Sequence, residues 1–504
     1  MTRQRELFPL LERLHVRTRW QVLASFVSGL VLALTFLPYA WSWLAPLPLA
    51  LLFWLVARTS NSKAAFRVGF MGGLAFFALH LLWLPVSFSA LFGAVIVVPM
   101  LLLPPLLGVF WGLTTALCRL TGRYTLLALP FAWVVLEFLR AQGIFGFPWG
   151  TLGYAFLPTP LIQIADLGGI YLVSLLVALT AAGLASLAQG LRWPVWTAGA
   201  LLTLSLVYGL TQPLPKEPDQ NVVLVQGSVN PLDKAESHSV DELRLYLELS
   251  RAGLTTGTPV DLLVWPEGAS PYTLEDPEVA GEIAALGVPA VIGAPSFNPN
   301  YQNTAFGFDG EVTSSYSKIK LVPFGESFPL RQPLSFIYDP LFNAIGLPGL
   351  VGTTPGESYE PLSVNGIVAG TYICYESVFP QVARTMVQRG ANLLVNISND
   401  AWFGTTAGAE QHFQMGRVRA IETRRYLARA GNDGISAVID PLGRVTARFP
   451  RGQRAAFFGR VALQDDLTLY VRFGDWVVWL SSLGLAALLI VSWRTPAPKG
   501  GRNV

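Results

Sequence analysis

Eight apolar runs bracket a single polar block in this chain, and no other feature limits its fold so severely. They lie near residues 20–38, 41–57, 68–88, 91–117, 125–139, 168–191, 194–211 and 475–493. A run of about 20 apolar residues crosses roughly 30 Å of hydrocarbon as a helix. Inside a bilayer no backbone N–H or C=O can be left unpaired, so runs of this kind must be helical. Seven spans are therefore expected before the block and one after it. Composition agrees: of 504 residues, 52% are hydrophobic and only 13% charged, too apolar and too poor in charge for a soluble protein of this size. Pro104-Pro105 should kink the fourth run.

The cations of the short loops set the orientation. With the N-terminus inside, the inner segments carry Arg3 to Arg19, Arg58, Lys63, Arg67, Arg119, Arg123, Arg192 and finally Arg494, Lys499 and Arg502, whereas the outer short loops hold only Arg140. This one-sided distribution places the polar block outside the cytoplasm. It also accounts for the net charge of +3 without a nucleic-acid partner. The first run lacks a small-residue cleavage site and further spans follow at once, so it reads as a retained helix. The expected domains are residues 1–212 (seven membrane helices), 213–220 (a Pro-rich polar linker), 221–466 (the soluble block) and 467–504 (the last span and a tail).

Within the block, continuous apolar strands alternate with helices. Strands are expected at 221–227, 261–267, 288–294, 366–374, 391–398 and 434–440, with a hairpin around Asp309-Gly310, and helices at 239–252, 274–286, 377–389 and 409–428. Such alternation argues for a sheet buried on both faces, an α/β layered domain. Three residues of interest fall at or just beyond strand ends, where α/β folds gather their active sites: Glu267 in VWPEGA, Lys318 in YSKIKLVPFGE and Cys374 in TYICYES.

Cys374 is the only cysteine of the block, and Cys118, at the inner end of the fourth run, cannot reach it. A thiol attacks an ester carbonyl as thiolate, so a carboxylate to take its proton and an ammonium to stabilise negative charge are the partners this chemistry needs. Glu267 is the expected base. Lys318 is expected to lower the thiol pKa and to steady the oxyanion, with helix N-terminal amides adding to its effect. Taken singly, Cys374 reads as buried apolar filler and the two charges as solvated; their order and context select the catalytic reading. His238 and His412, the two histidines of the block, have no zinc-ligand spacing, and no phosphate-binding glycine loop follows a strand, so neither a metal nor any other cofactor is expected.

The segments VVLVQG, VWPEGA, YSKIKLVPFGE, ICYES and NISNDAWFG together resemble the nitrilase superfamily. With GFPWGTLGY (146–154), QHFQMGRVRAIETRRYLARAGNDGISAVID (411–440) and YVRFGDW (470–476), the whole chain resembles its membrane-embedded branch, the apolipoprotein N-acyltransferase family. The resemblance implies a membrane α-helical bundle of about eight transmembrane helices carrying an exocytoplasmic nitrilase-like αββα sandwich, on the periplasmic side of a bacterial inner membrane. It implies Glu267, Lys318 and Cys374 as catalytic residues, supported by Glu326, Tyr375 and Glu376. The implied reaction takes an acyl chain from a glycerophospholipid, holds it as a Cys thioester, and passes it to the α-amine of a diacylglyceryl-modified lipoprotein. One departure is Lys234-Ala235, where family members often carry Lys-Trp.

Three further segments carry expectations. The loop at 334–352 is apolar enough to serve as a membrane-dipping lid. Phe147 and Trp149 either guide lipid beneath the site or anchor the chain at the interface. Asn396, Asn399 and Asp400 are expected to tie loops around the site. Two rival readings remain at this point: a membrane-anchored nitrilase-like amidase with water as acceptor, and a catalytically inactive lipid- or lipoprotein-binding protein.

Overall fold

The computed structural model describes residues 18–494 apart from 37, 95–96, 231–238, 256 and 345–351. Ala235 thus lies outside the described residues. The N-terminal region is helical: α1 (Thr18–Leu34), α2 (Pro46–Ala57), α3 (Ser62–His80), α4 (Trp83–Phe92), α5 (Val97–Leu101), α6 (Leu103–Arg119), α7 (Thr125–Arg140), α8 (Ala165–Leu187) and α9 (Trp193–Leu210). Five helical segments among the described residues are long and apolar enough to cross a membrane, including one near the C-terminus (Trp476–Arg494), and α1 and α2 are shorter apolar helices. Only Ala198 and Ser205 of α9 are buried, so its apolar side chains face outward, as a lipid-facing helix requires.

Two expected spans are broken. The run at 68–88 divides between α3 and α4, where Gln411 of the soluble block donates to the freed His80 carbonyl at 3.2 Å. The run at 91–117 divides rather than kinks, because Pro104 falls in the first turn of α6, the one place where its missing N–H costs nothing. Helix α8 bends at Gly168-Gly169; Gly169 has φ +69°, and a Cβ there would lie 2.5 Å from the Tyr470 ring.

The soluble block holds two six-stranded sheets. The first has the order β12-β1-β2-β3-β4-β5, with β1 (Gln220–Gln226), β2 (Leu262–Val264), β3 (Ala290–Ser296), β4 (Gln302–Phe308), β5 (Val312–Ser317) and β12 (Ala455–Val461). The second has the order β11-β10-β9-β8-β7-β6, with β6 (Leu362–Val364), β7 (Ile367–Ile373), β8 (Leu393–Ser398), β9 (Leu427–Gly431), β10 (Ala437–Ile439) and β11 (Val445–Arg448). Each is mixed: β1, β2 and β3 run parallel, as do β7, β8 and β9, and the outer strands are antiparallel. The sheets pack face to face. Helices α10 (Ser239–Leu254) and α11 (Pro277–Ala284) cover the first sheet, while α13 (Pro380–Gln388) and α14 (Gly408–Thr423) cover the second, giving an αββα sandwich. The remaining helices are α12 (Ser335–Ala344), α15 (Leu469–Phe473) and α16 (Trp476–Arg494).

Most expected elements are present, with one substantial difference. The helix expected over 409–428 stops at Thr423, where Arg424 takes the left-handed conformation, and residues 427–431 form the central strand β9. The short strand β6 and the pair β11 and β12 were also not anticipated from the pattern. Strand β2 is only three residues long, so Glu267 lies three residues beyond its end rather than closing it.

Candidate active site

The carboxyl ends of the parallel strands in both sheets point to one place, and the three expected catalytic residues meet there. After β2 the chain turns through Trp265–Gly268, pinned by Trp265 Nε1 donating to Ser250 Oγ of α10 at 2.8 Å. The turn lies directly over β3. A Cβ on Gly293 would stand 2.2 Å from the Pro266 carbonyl oxygen and 2.9 Å from Glu267 Cα, so only glycine admits this approach. Glu267, 8% exposed, accepts from Lys318 Nζ at 3.2 Å and Asn303 Nδ2 at 2.6 Å through Oε1, and from the Asn399 backbone N–H at 2.9 Å through Oε2. That last bond crosses from one sheet to the other.

Lys318 follows β5 directly and is 1% exposed. Its ammonium donates to Glu326 Oε1 at 2.6 Å as well as to Glu267. Burial alone would lower its pKa, but the two carboxylates outweigh burial and hold it well above the lysine range. Glu326 is held in turn by the Val322 N–H at 2.9 Å and by Asn303 at 3.4 Å. Asn303 therefore touches both carboxylates. The sequence does not mark it, since Asn303 is one of three successive polar residues, Gln302 to Thr304, that open β4.

Cys374 comes immediately after β7, with φ +49°, a left-handed conformation uncommon for a residue with a side chain. Only a five-residue 3₁₀ turn, Cys374–Val378, follows it. The helix expected at 377–389 is α13, which begins only at Pro380, so its first-turn amides do not start at Cys374 as expected. Cys374 keeps partial solvent access, yet burial of its sulfur, reinforced by the Glu267 charge and opposed by Lys318, pushes the thiol pKa up. That direction is opposite to the lowering by Lys318 expected from the sequence, because burial outweighs the ammonium.

Two networks hold this turn. Glu376, fully buried, accepts from Tyr316 Oη (2.7 Å), Ile319 N (2.9 Å) and Lys320 N (3.0 Å) through Oε1, and from Ile373 N (2.9 Å) through Oε2. It thus clamps the segment after Lys318 to the strand end before Cys374. The second network is His412, whose Nε2 is 3.1 Å from the Cys374 carbonyl and 2.9 Å from Ser377 Oγ, and whose Nδ1 is 3.0 Å from Asp400 Oδ1. Arg429 donates to Asp400 Oδ2 at 2.5 Å and also bonds Asn396. Although burial works against it, Arg429 and His412 hold the Asp400 carboxyl well below the carboxylate range. The expected tying role of Asn396, Asn399 and Asp400 is what these contacts do. Cys374, Asp400 and His412 offer metal-ligand atoms within 4.8 Å of one another, but Arg429 already places a positive charge on Asp400 and against His412 Nδ1 at 3.3 Å. In the sequence His412 lacks zinc-ligand spacing, and nothing local marks its contact with the Cys374 turn.

The helical region supplies one wall. Arg140, at the end of α7, is buried and donates to the Trp149 carbonyl at 2.5 Å, while its own carbonyl accepts from Phe147 N at 2.8 Å. This shapes the GFPWG loop. Trp149 is 2% exposed, stacked on Phe147 (5.3 Å), Tyr375 (6.1 Å) and His412 (6.1 Å), with Nε1 donating to Gln411 at 3.0 Å. A buried indole in that position is packing under the site rather than an interfacial anchor. Tyr375 Oη donates to the Gly146 carbonyl at 2.8 Å.

Beside Tyr375 opens a cavity of about 940 Å³, between the 143–146 loop, the segment after Lys318, and residues 327–335. Its size suits a ligand site. The described part of the apolar 334–352 segment is α12, which buries Tyr338 and Phe342 against Phe328 and exposes Phe336 (71%) and Ile337. Phe145 and Phe324, both exposed, approach within 6.0 Å across the rim.

Known proteins share both parts of this architecture. A family model described as the apolipoprotein N-acyltransferase N-terminal domain matches residues 28–183, and one described as carbon-nitrogen hydrolase matches residues 232–465. The apolipoprotein N-acyltransferase of Geobacter metallireducens is 35% identical over 512 residues, covering 94% of this chain and 96% of that protein. That of Azotobacter vinelandii is 35% identical over 497 residues, covering 93% of each. Among solved structures, a nitrilase-superfamily amidase from Nesterenkonia matches with 19% identity and a TM-score of 0.38, over 52% of this chain and 96% of that one. This chain belongs to the apolipoprotein N-acyltransferase family, acyltransferases whose soluble part is a carbon-nitrogen hydrolase domain.

Proposed function

We propose that the chain moves an acyl chain from a membrane glycerophospholipid, through a thioester on Cys374, to the α-amino group of a diacylglyceryl-modified lipoprotein. The observation that carries this reading is the buried Glu267–Lys318–Glu326 cluster gathered with Cys374 at the strand ends, next to a cavity lined by the adjoining residues Ile319 and Tyr375. In the first half reaction the Cys374 sulfur attacks the ester carbonyl while its proton passes to Glu267. The S–C bond forms, Lys318 stabilises the oxyanion, and as the ester C–O bond breaks the proton goes from Glu267 to the departing lysophospholipid oxygen. In the second, the lipoprotein amine attacks the thioester, the C–S bond breaks, and the amine's proton returns to sulfur through Glu267. A raised thiol pKa fits this scheme, because proton removal is coupled to attack instead of preceding it.

The proposed domains are residues 1–212 as a membrane region of seven spans, 213–220 as linker, 221–466 as the catalytic sandwich, and 467–504 as the last span and tail. A cytoplasmic N-terminus with the sandwich on the periplasmic face is supported by the loop cations. In that orientation the exposed rim of Phe145, Phe324, Phe336 and Ile337 contacts the outer leaflet, and α12 acts as the lid. The test is intact-protein mass spectrometry after incubation with phospholipid. An acyl mass increment removed by neutral hydroxylamine and missing in Cys374→Ala supports the reading; no increment in folded wild-type protein refutes it.

A further inference from the structure

The cavity beside Tyr375, the residue after Cys374, carries charge of one sign only among the described residues. Lys320 and Arg331 line it, the hydroxyls of Ser327 and Thr353 add polar contacts, Phe328 and Phe379 supply apolar wall, and no Asp or Glu among the described residues faces it. Lys320 is fixed there. Its backbone N–H donates to Glu376, and its ammonium lies 5.6 Å from the centre of the Phe379 ring. Lys318, two residues earlier, is matched by two carboxylates; Lys320 is matched by none among the described residues. Arg331 pairs with Asp339 at 2.5 Å and lies over the Phe342 ring at 5.1 Å, but Asp339 does not line the cavity.

A half-buried ammonium on an apolar wall is costly without a counter-ion, so a cavity built this way favours a ligand that brings an anion attached to an apolar body. Of the two lipids in the proposed reaction, the acyl donor carries a phosphodiester. The diacylglyceryl group of the acceptor carries no phosphate. We infer that Lys320, assisted by Arg331, is the phosphate-binding determinant that selects the glycerophospholipid donor. This rests on the acyl-transfer reading above and assigns the donor's headgroup end to the wall formed by residues 320–331. Lys320 then governs donor affinity in the first half reaction and has no part in amine attack.

The test uses the full-length protein in neutral detergent micelles, with thioester formation followed by intact mass. The donors are dipalmitoyl phosphatidylglycerol and 4-nitrophenyl palmitate, an activated ester without phosphate. One charge-assisted bond corresponds to about a tenfold or greater change in affinity. Lys320→Gln should raise the half-saturating phosphatidylglycerol fraction about tenfold with little change in saturating rate. That loss should far exceed any seen with the nitrophenyl ester, Lys320→Arg should restore it, and Arg331→Gln should give a smaller loss of the same kind. Equal losses with both donors, or none with either, overturn the inference while leaving acyl transfer intact. Wild-type protein that forms no thioester from any donor overturns both. Inorganic phosphate that competes as well as the lipid would make this a free-anion site and refute the lipid assignment.

Discussion

Replacing Glu376 by Gln tests whether one buried carboxylate holds Lys318 and Cys374 in register. Its two oxygens accept four bonds, three on Oε1 and one on Oε2. A glutamine keeps one acceptor, which best stays with the three donors, so its NH₂ group must face the Ile373 N–H. One buried donor left unpaired costs about 1–3 kcal/mol, and the other three bonds lose their charge assistance, roughly another 1 kcal/mol each at most. Against this stands relief from burying a charge, since burial raises the Glu376 pKa even against its four donors. The balance is a loss of about 2–3 kcal/mol, which at about 2–4 °C per kcal/mol lowers the melting midpoint by about 4–12 °C. Because the residue joins the Lys318 segment to the end of β7, the rate of thioester formation should fall about 100-fold, the scale of an ångström's misplacement at a reacting centre. Tryptophan-fluorescence melting and hydroxylamine-sensitive acylation measure the two effects. A Glu376→Gln protein that melts and acylates as wild type would refute the clamp.

Other expectations follow from the same geometry. Gly293→Ala drives a methyl group into the Pro266 carbonyl and displaces Glu267; a stability loss of about 1–3 kcal/mol with a much larger fall in acylation is expected, and wild-type acylation would show that the turn has room to move. Since burial raises the Cys374 thiol pKa, iodoacetamide should modify the resting enzyme slowly at neutral pH and faster as pH rises, about tenfold per unit, with no plateau up to about pH 9; a plateau near neutrality would mean a preformed thiolate. Asp400 has a folded pKa below its unfolded value, so its contribution to stability is present above about pH 4 and is lost as pH falls through the folded pKa. Asp400→Asn should therefore flatten the acid limb of the stability curve and, by leaving buried Arg429 unpaired, cost about 3–5 kcal/mol. An unchanged acid limb would remove Asp400 as its source.

The sequence showed best what depends on local pattern. Alternation and turn chemistry marked the Asp309-Gly310 hairpin, where Gly310 has φ +74°, and unbroken apolar runs marked β1, β7 and β8. Strand β9 was hidden because RRYLARAG continues the spacing of α14, and three arginines do not suggest a buried segment. Arg425 and Arg429 are in fact buried: Arg425 donates to the Ala391 and Asp466 carbonyls, and Arg429 to Asp400. The helix stops at Arg424 in a left-handed conformation that nothing but tertiary contact demands, its guanidinium held by Asp166 and Gln163. Lys318 and Cys374 could be read from their places beside strand ends. Asn303 and His412 could not, since each gains its role from a partner far away in sequence.

Those distant partners also explain why the site belongs to neither part of the chain alone. Helix α14 presents His412 to the carbonyl of Cys374, and the adjacent Gln411 to Trp149 and to the end of α3. Two turns on, Arg419 donates to Tyr154, and Glu422 accepts from the Ile170 N–H at the α8 bend. One helix of the sandwich thus spends its polar side chains closing hydrogen bonds that the helical region leaves open where α3 ends and α8 bends. A buried polar group without a partner costs about 1–3 kcal/mol, so separating the two parts would leave several such groups unpaired and expose Trp149 and Tyr375 together. The Cys374 turn, already in an unfavourable conformation, is held from the sandwich by Glu376 and His412 and from the helical side by the loop that packs Trp149 against Tyr375. Placement of Cys374 therefore depends on both parts being docked, and the 143–149 loop of the helical region supports the candidate site rather than merely anchoring it.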